Sequence, residues 1–227
     1  FEATADRNVL KFMDAFFKYQ YRTFATHPLN DLAVARGGDN ILLALWLYNI
    51  TGQSYLVELC RRLREQTLDW PNYFHTFPNA QPLSRSLRWP RLKEALYEEK
   101  AEPLEGEHRP YFHTQYQLTN GENIAVGLRT PGAINLFKSG FKEQGGFRFG
   151  WEKLMKYHGV AYGMFTADNH LNGSSPTQGT TLTAVAEMLS TLETLAGMGE
   201  MSREIPDIFE KIAFNALPAA YSQDMRR

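Results

Sequence analysis

Several features that would narrow the function of this chain are missing from its sequence. Cys60 is the only cysteine among 227 residues, so neither an internal disulfide nor a multi-cysteine metal site can form within the chain. No run of about 18 apolar residues occurs, so no segment is predicted to span a membrane. The 24 basic and 25 acidic residues nearly cancel, which gives no electrostatic basis for binding nucleic acid or an anionic membrane.

Common catalytic and metal-binding motifs are also missing. The glycine pairs at 37–38 and 145–146 do not follow a predicted strand, so the sequence has no P-loop, dinucleotide fingerprint or nucleophile elbow. The closest histidines, His108 and His113, flank Pro110, whereas metal-binding helices place two histidines about three or four residues apart. We therefore expect no metal site. The single thiol of Cys60 lies in a helical pattern and is expected to be buried and inert.

Helical periodicity accounts for most of the remaining sequence. Helices are predicted over residues 4–26, 41–50, 54–67 and 182 to about 197, and a last one includes Pro206 in its first turn. Asp39 is predicted to cap the second of these helices, Gly52 to end it, and Thr180 or Thr181 to cap the fourth. Short glycine turns between helices favour an all-α fold of antiparallel helix hairpins.

Two segments interrupt this helical pattern. Residues 69–90 contain four prolines and are predicted to be extended or turn structure. Residues 94–109 are dense in charge and are predicted to be a solvated helix end and loop. The helical pattern is already present near Phe1 and the chain stops at Arg227 after an apparent helix, so we expect an incomplete portion of a longer chain.

One polar stretch stands out between two predicted helices. Residues 166–180 show neither a helical nor a strand period, yet they are rich in Asp, Asn, Ser and Gln side chains. A loop that leads into a helix N-terminus gathers backbone N–H donors and side-chain acceptors, which suits a polyol-binding or catalytic site. An ordinary surface loop is the alternative. The carboxylates in or beside the unusual loops are Asp39, Glu122, Asp168 and Glu187, although Asp39 could serve only as a cap and Glu187 only as a solvated helix residue.

Four motifs in order carry a resemblance to a known family. They are RGGDNILLALWLYNITGQ, NGENIAVGLRTPGAINLFKSG, GMFTADNHLNGSSPTQGTTLTAVAEMLSTLE and FEKIAFNALPA. From about Arg36 onward, most of the chain resembles glycoside hydrolase family 127, whose best-known activity is β-L-arabinofuranosidase. The resemblance implies an (α/α)6 barrel-like toroid of helix hairpins. Residues 1–227 would form that barrel domain or most of it, without the C-terminal β domains of the family.

The resemblance also implies catalytic and metal positions at which this sequence departs from the family. The acid/base Glu of the family falls nearest Asn169, with Asp168 beside it. The zinc-binding Glu and Cys of the family fall on Thr181 and Thr183, whose hydroxyls carry neither carboxylate nor thiolate charge. The family's cysteine nucleophile would lie beyond Arg227. We therefore expect no metal ligands and no cofactor within this chain, although zinc is expected for the family.

These arguments predict a sugar site at the mouth of a barrel. Asp168 and Glu187 are the catalytic candidates, and Asp168 would donate a proton if burial raised its pKa. The polar residues beside the glycine-punctuated loops are the substrate-binding candidates: Asp39, Asn40, Asn120, Asn123, Asn169, His170, Gln178 and Thr181. The segments ahead of Ile41, Ile124 and Leu182 are expected to surround a shared, water-lined hollow.

Three functions follow as hypotheses. The first is a glycoside hydrolase that cleaves a terminal sugar from a plant or microbial glycan, for which an extracytoplasmic location is favoured by the substrate class alone. The second is an inactive glycan-binding or scaffolding protein of the same fold. The third is a lyase or isomerase, because helical toroids support those reactions too. The expected partner is a carbohydrate, with a homodimer or the missing part of the chain left open, and no nucleic acid or membrane.

Overall fold

The structure is a computed structural model that describes residues 1–30, 32–82, 116–137, 146–199 and 204–219. Its described elements are helices apart from one pair of two-residue strands, which confirms the predicted all-α class. The chain divides into two compact units: residues 1–68 with 133–143, and residues 69–132 with 144–227. The predictions for residues 83–90 and 94–109, and the histidines at positions 108 and 113, lie outside the described residues.

Four helices lie wholly within the described part of the first unit. They are α1 (Arg7–Thr23), α2 (Leu32–Ala35), α3 (Gly37–Thr51) and α4 (Tyr55–Gln66). Helices α3 and α4 form the predicted hairpin: Gly52 adopts φ 69° and its N–H donates to the Tyr48 carbonyl at 2.8 Å, which ends α3 as a left-handed glycine cap does. Helix α1 packs against both members of this hairpin.

The core of the first unit lies where these three helices meet. Phe17 of α1, Ile41 of α3 and Leu59 of α4 are buried there. Cys60 is also buried, and its thiol donates to the Ile41 carbonyl at 3.7 Å. Burial raises the pKa of the Cys60 thiol to about 12, so the thiol stays protonated and inert at neutral pH, as expected from the sequence.

The prediction that Asp39 caps α3 was wrong. The helix begins at Gly37, two residues before Asp39 and four before the predicted start at Ile41, so its N-cap position is Arg36 and Asp39 lies in the first turn. A Cβ on Gly37 would come within 2.6 Å of the Thr67 hydroxyl oxygen, so glycine permits a close approach to the end of α4. In the first turn the negative charge of the Asp39 carboxylate still interacts favourably with the positive end of the helix dipole.

The second unit contains the remaining elements, and the boundary between the units falls within α7. The elements are α5 (Trp70–Thr76), α6 (Gly121–Gly127), α7 (Thr130–Asn135), α8 (Phe147–His158), β1 (Ala167–Asp168), β2 (His170–Leu171), α9 (Leu182–Gly197), α10 (Glu204–Lys211), a π-helix (Ile212–Ala216) and α11 (Leu217–Ala219). Helix α6 packs along α9, α5 packs against α8, and α10 packs against α9.

The prediction of non-helical structure from residue 69 onward was wrong for its first part. Asp69 accepts a hydrogen bond from the Asn72 N–H at 3.3 Å and caps α5, and Pro71 lies in the first turn. Proline is tolerated there because the first helical N–H groups have no partner within the helix. The aromatic residues of this helix then join the core, since Trp70 and Phe74 are fully buried.

Two glycines allow the helices of the second unit to pack closely. A Cβ on Gly127 of α6 would lie 2.5 Å from the Trp70 ring, and one on Gly150 of α8 would lie 2.8 Å from the Phe74 ring. Both distances are far below ordinary carbon contacts, so any larger residue would separate these elements. Trp70 and Phe74 of α5 therefore pack directly against the backbone of α6 and of α8.

The carboxyl end of the described chain contains a distortion that periodicity does not predict. Pro206 lies in the first turn of α10, as predicted, but the helix widens into a π-helix at residues 212–216. The side chain of Phe214 in this segment is 74% exposed. Across the described residues, no helix combines the length and apolar character needed to cross a membrane.

Candidate functional site

Two capped helix N-termini lie side by side in the second unit. Asn120 caps α6 by accepting from the Asn123 N–H at 3.0 Å, and Thr181 caps α9 by accepting from the Ala184 N–H at 3.3 Å. Asn, Ser and Thr oxygens favour this position because they satisfy N–H groups that the helix leaves free. One loop is hydrogen-bonded to both N-termini, so both positive helix ends belong to one region.

The polar loop predicted from the sequence is fastened to both of these N-termini. Ala167 accepts from the Thr181 N–H at 3.2 Å, and its own N–H donates to the Gly179 carbonyl at 3.0 Å. On the other side, the Gly121 N–H donates to the Asn169 carbonyl at 2.9 Å. A Cβ on Gly121 would lie only 2.3 Å from the Ala167 Cβ, so glycine at the start of α6 is what lets the loop lie this close.

A small hairpin forms the exposed edge of this region. Strands β1 and β2 pair antiparallel, with Asp168 opposite His170, and Asn169 between them has φ 70°. Asn is one of the few residues other than glycine that readily adopts this left-handed conformation. Asp168 and Asn169 are exposed at the tip, whereas the neighbouring Ala167 is fully buried. The carboxylate of Asp168 is therefore open to a ligand from solvent.

His170 is a buried member of the predicted sugar-binding set, with 9% of its surface exposed. Its Nδ1 lies 2.9 Å from the Thr119 hydroxyl, and its ring meets the Tyr116 ring edge to face at 4.6 Å. A β-bridge also joins Asn120 to His170. Burial and the nearby Glu122 carboxylate raise the pKa of the Tyr116 phenol, so that side chain remains a neutral hydroxyl.

We refer to the six residues Asn120, Asp168, Asn169, His170, Thr180 and Thr181 as the polar edge. They bring amide, imidazole, carboxylate and hydroxyl groups together at the two helix N-termini. The Thr180 hydroxyl donates to the Phe165 carbonyl at 2.8 Å and also contacts the Tyr162 hydroxyl at 3.0 Å. Mixed donors and acceptors of this kind match the hydroxyl groups of a sugar ring better than they match a single charged ligand.

Like Asn120, His170 and Thr181, two more of the predicted sugar-binding residues make hydrogen bonds within the protein. Asn123 is only 1% exposed, and its side-chain amide donates to the Gln117 side chain at 2.7 Å. Its role in the described residues is to hold the turn before α6. Gln178 is half-buried, and its backbone N–H closes a turn onto the Ser175 carbonyl at 3.0 Å.

Glu187, the second catalytic candidate, forms an ion pair. One of its carboxylate oxygens lies 3.6 Å from the Arg129 guanidinium, whose side chain is 9% exposed. Arg129 also donates to the Thr191 hydroxyl at 3.0 Å, and Thr191 donates to the Ala125 carbonyl at 2.7 Å. Glu187 lies six residues beyond the cap of α9, roughly 9 Å along the helix axis. These contacts give it a structural role between α6 and α9.

Asp39 and Asn40 belong to the first unit. Both are half-buried residues in α3, whereas the other candidate residues lie in the second unit. Contacts bring the segments ahead of Ile124 and Leu182 together, whereas the shared hollow that would also include the segment ahead of Ile41 stays a prediction.

The threonines at the family's zinc positions act as helix-terminal residues. The Thr181 hydroxyl is the cap of α9, and Thr183 is exposed in the first turn. Within the described residues, no group of three or more His, Cys, Asp or Glu side chains could hold a metal ion. The donor set at these two positions does not fit the zinc site that the resemblance implies.

Sequence reasoning missed the residue that anchors the inner end of the loop. His158, the last residue of α8, is fully buried, with Nδ1 2.9 Å from the Gly173 N–H and Nε2 2.7 Å from the Asn79 carbonyl. The signal was present in the helical spacing, because His158 continues the buried stripe of Gly150, Trp151 and Leu154.

Another opening lies away from the polar edge, between α8 and α10. It is a cleft of about 490 Å³ lined by Trp151, Glu152, Met155, Glu204, Asp207, Ile208 and Lys211. Glu152 and Glu204 both contact the Arg148 guanidinium, at 2.8 and 3.5 Å, so two of its carboxylates belong to surface ion pairs. The cleft contains none of the residues that the sequence predicts for the site.

No known protein family, curated protein or solved structure matches this chain. The resemblance to glycoside hydrolase family 127 therefore depends on the four sequence motifs alone.

Proposed function

We propose that this chain is a carbohydrate-active domain that binds a terminal sugar at the polar edge and hydrolyses its glycosidic bond. The observation that supports the proposal is the attachment of one polar loop to two capped helix N-termini, with Asp168 and Asn169 exposed at its tip. Such a surface offers preorganised donors and acceptors together with one accessible carboxylate.

The proposal extends the confirmed all-α class to a particular architecture. Helix hairpins such as α3–α4 would be units of an (α/α)6 toroid, as in glycoside hydrolase family 127, which the four sequence motifs resemble. The substrate would be a terminal arabinofuranose or a related sugar of a plant or microbial glycan. Its ring hydroxyls would bond to the Asn120, Asn169 and His170 side chains. Asp39 and Asn40, which belong to the first unit, stay predictions.

Asp168 is the candidate for proton transfer because its side chain is open to ligand. The burial that the sequence argument required is not present, since Asp168 is exposed. A bound sugar would have to supply that burial by excluding water from the carboxylate. The proposed chemistry therefore depends on ligand binding at the hairpin tip.

An assay with chromogenic glycosides tests this proposal. The panel should contain p-nitrophenyl α- and β-L-arabinofuranosides and arabinopyranosides, and released nitrophenol should be measured for the unmodified chain and for Asp168→Asn. We expect turnover that is abolished by Asp168→Asn and retained by Asp207→Asn, which removes an exposed carboxylate from a cleft that none of the polar-edge residues lines. Equal rates for the unmodified chain and Asp168→Asn would refute the role of Asp168.

A non-catalytic glycan-binding protein is the second candidate. The observations that favour it are the ion pair of Glu187 with Arg129 and the use of Thr181 as a helix cap, because the first engages a catalytic candidate and the second engages a zinc position of the family. Titration calorimetry with L-arabinose and arabino-oligosaccharides distinguishes the two. Heat of binding without product release, lost in a His170→Ala variant, would favour binding alone.

A further inference from the structure

His158 occupies a position in which only one of its protonation states makes both of its hydrogen bonds. Nε2 faces the Asn79 carbonyl, which only accepts, so Nε2 must carry a proton. Nδ1 faces the Gly173 N–H, which only donates, so Nδ1 must be unprotonated. The neutral Nε2–H form satisfies both partners, whereas a doubly protonated ring would point an N–H at the Gly173 N–H.

The residues around Gly173 make this contact the inner anchor of the polar loop. The Thr166 N–H donates to the His158 carbonyl at 2.8 Å, and the Thr166 hydroxyl donates to the Gly173 carbonyl. Gly173 has φ 81°, and a Cβ there would lie 3.2 Å from Pro82. Both polar groups of the Gly173 backbone are therefore held by residues at the end of α8 and the start of β1.

Among the residues that the structure describes, no charged side chain stabilises the protonated form of His158. In the segment after α5, the centre of the Phe77 ring lies 6.0 Å from that of the His158 ring, and the Asn79 carbonyl accepts from Nε2. The Asn79 side-chain amide in turn donates to the Tyr73 hydroxyl at 3.3 Å. Burial raises the pKa of Tyr73, so that phenol stays neutral. From the loop, the facing groups are the backbone of Gly173 and of Thr166. On α8, Tyr157 stacks on Phe77.

Burial is also the dominant influence on the imidazole itself. It lowers the pKa of His158, an effect that the Asn79 carbonyl only partly opposes, and among the described residues no charged side chain contributes. Protonation thus meets two obstacles in the folded loop: loss of solvation and loss of the Gly173 contact.

We propose that neutral His158 is a positioning residue that locks the polar loop at Gly173, and that protonation of His158 releases the loop in mildly acidic solution. The loop includes the Asp168–Asn169 tip, which bonds from Ala167 and Asn169 also hold to the helix N-termini, so the release would loosen the polar edge from its inner end. Only the consequence for sugar binding depends on the proposed function. The lock itself is a property of the loop and can be measured without any ligand.

Two substitutions each keep one of the two hydrogen bonds of the His158 ring and remove the other. An Asn side chain at position 158 places its amide oxygen near Nδ1, so His158→Asn keeps an acceptor for the Gly173 N–H but cannot titrate. A Gln side chain places its amide nitrogen near Nε2, so His158→Gln keeps the donor to Asn79 and removes the acceptor for Gly173. The control is His27→Asn, which removes an exposed histidine from the first unit.

Amide hydrogen exchange at Gly173, measured by NMR from pH 7 to pH 5, tests the proposal. In the unmodified chain we expect the protection factor to fall about tenfold per pH unit below about pH 6.5, the ordinary histidine pKa, as one proton is taken up on opening. His27→Asn should keep this dependence. His158→Asn should abolish it while keeping protection, and His158→Gln should lose protection at every pH. The Leu192 amide in the core of α9 reports that each variant remains folded.

The results also separate this inference from the proposed function. A protection factor for Gly173 that does not change with pH in the unmodified chain, or protection retained in His158→Gln, would overturn the lock. If Gly173 behaves as expected and titration with L-arabinose gives no heat, the lock stands and the sugar site fails. If L-arabinose binds, its affinity should decline with pH in parallel with Gly173 protection, and the decline should vanish in His158→Asn.

Discussion

The contact between Gly121 and Ala167 can be tested by adding one methyl group. In Gly121→Ala the new Cβ would lie 2.3 Å from the Ala167 Cβ, whereas ordinary carbon contacts are about 3.5–4.0 Å. One of the two backbones must therefore move by more than about 1 Å. Such a movement would lengthen the hydrogen bond from the Gly121 N–H to the Asn169 carbonyl, now 2.9 Å, and pull the loop away from α6.

The expected cost follows from these contacts. Overpacking in a well-filled interior costs about 1–3 kcal/mol, and a lost backbone hydrogen bond adds about 1 kcal/mol. The better helix propensity of alanine recovers up to about 1 kcal/mol. We therefore expect Gly121→Ala to lower the free energy of unfolding by about 1–3 kcal/mol.

A matched substitution and a rescue make the prediction specific. Gly197→Ala adds the same methyl group at the end of α9 with nothing within 4 Å, so it should change stability by less than about 1 kcal/mol. In the double variant Gly121→Ala with Ala167→Gly, the nearest remaining atoms are the Ala167 carbonyl oxygen at 3.5 Å and Cα at 3.6 Å, which are ordinary contacts. The pair should then show a favourable coupling of about 1–3 kcal/mol.

Urea unfolding followed by far-UV circular dichroism supplies the four free energies of this cycle. Because the chain divides into two compact units, a curve with two transitions should show the change only in the transition of the second unit. If Gly121→Ala is as stable as Gly197→Ala, or if the Ala167→Gly substitution fails to rescue it, the close approach of loop and helix is wrong.

Three further predictions concern the second unit. Arg129→Met should destabilise the chain by about 2–4 kcal/mol in urea unfolding because the buried ion pair of Arg129 with Glu187 is lost. Glu187→Gln should also lower stability, without lowering any turnover per folded molecule. Gly127→Ala should lower the free energy of unfolding by about 1–3 kcal/mol because its Cβ would lie 2.5 Å from the Trp70 ring. An unchanged midpoint of thermal unfolding would contradict this packing. The lowered pKa of His158 means that, as the pH falls, the unfolded chain takes up a proton at this histidine before the folded chain does. The contribution of neutral His158 to stability is therefore complete above about pH 6.5 and is lost by up to about 1.4 kcal/mol per pH unit below it. Urea midpoints of His158→Asn should lack this pH dependence.

Features set by local chemistry were predictable from the sequence. Gly52 ends α3 with a positive φ, Thr181 caps α9, and Pro206 lies in the first turn of α10, all as expected. Each depends on one residue and its immediate neighbours. The predicted polar loop is also present, because a lack of apolar period is itself a local property.

Features set by contacts distant in sequence were not predictable in the same way. Asp39 looked like a cap, but α3 begins at Gly37, where a Cβ would lie 2.6 Å from the Thr67 hydroxyl oxygen. The fastening of Ala167 to Thr181 and the close approach to Gly121 join segments that periodicity treats separately. The assignment of Glu187 to an ion pair with Arg129 required the packing of α6 on α9.

The anchoring of the polar loop has a thermodynamic consequence for any ligand that binds at its tip. The backbone groups of Ala167, Asn169 and Gly173 already have partners before a ligand arrives. On binding, the ligand would lose its own rotational freedom, whereas the loop would lose little conformational entropy. Calorimetry should accordingly give a small heat-capacity change, close to that expected from the contact area of the ligand alone.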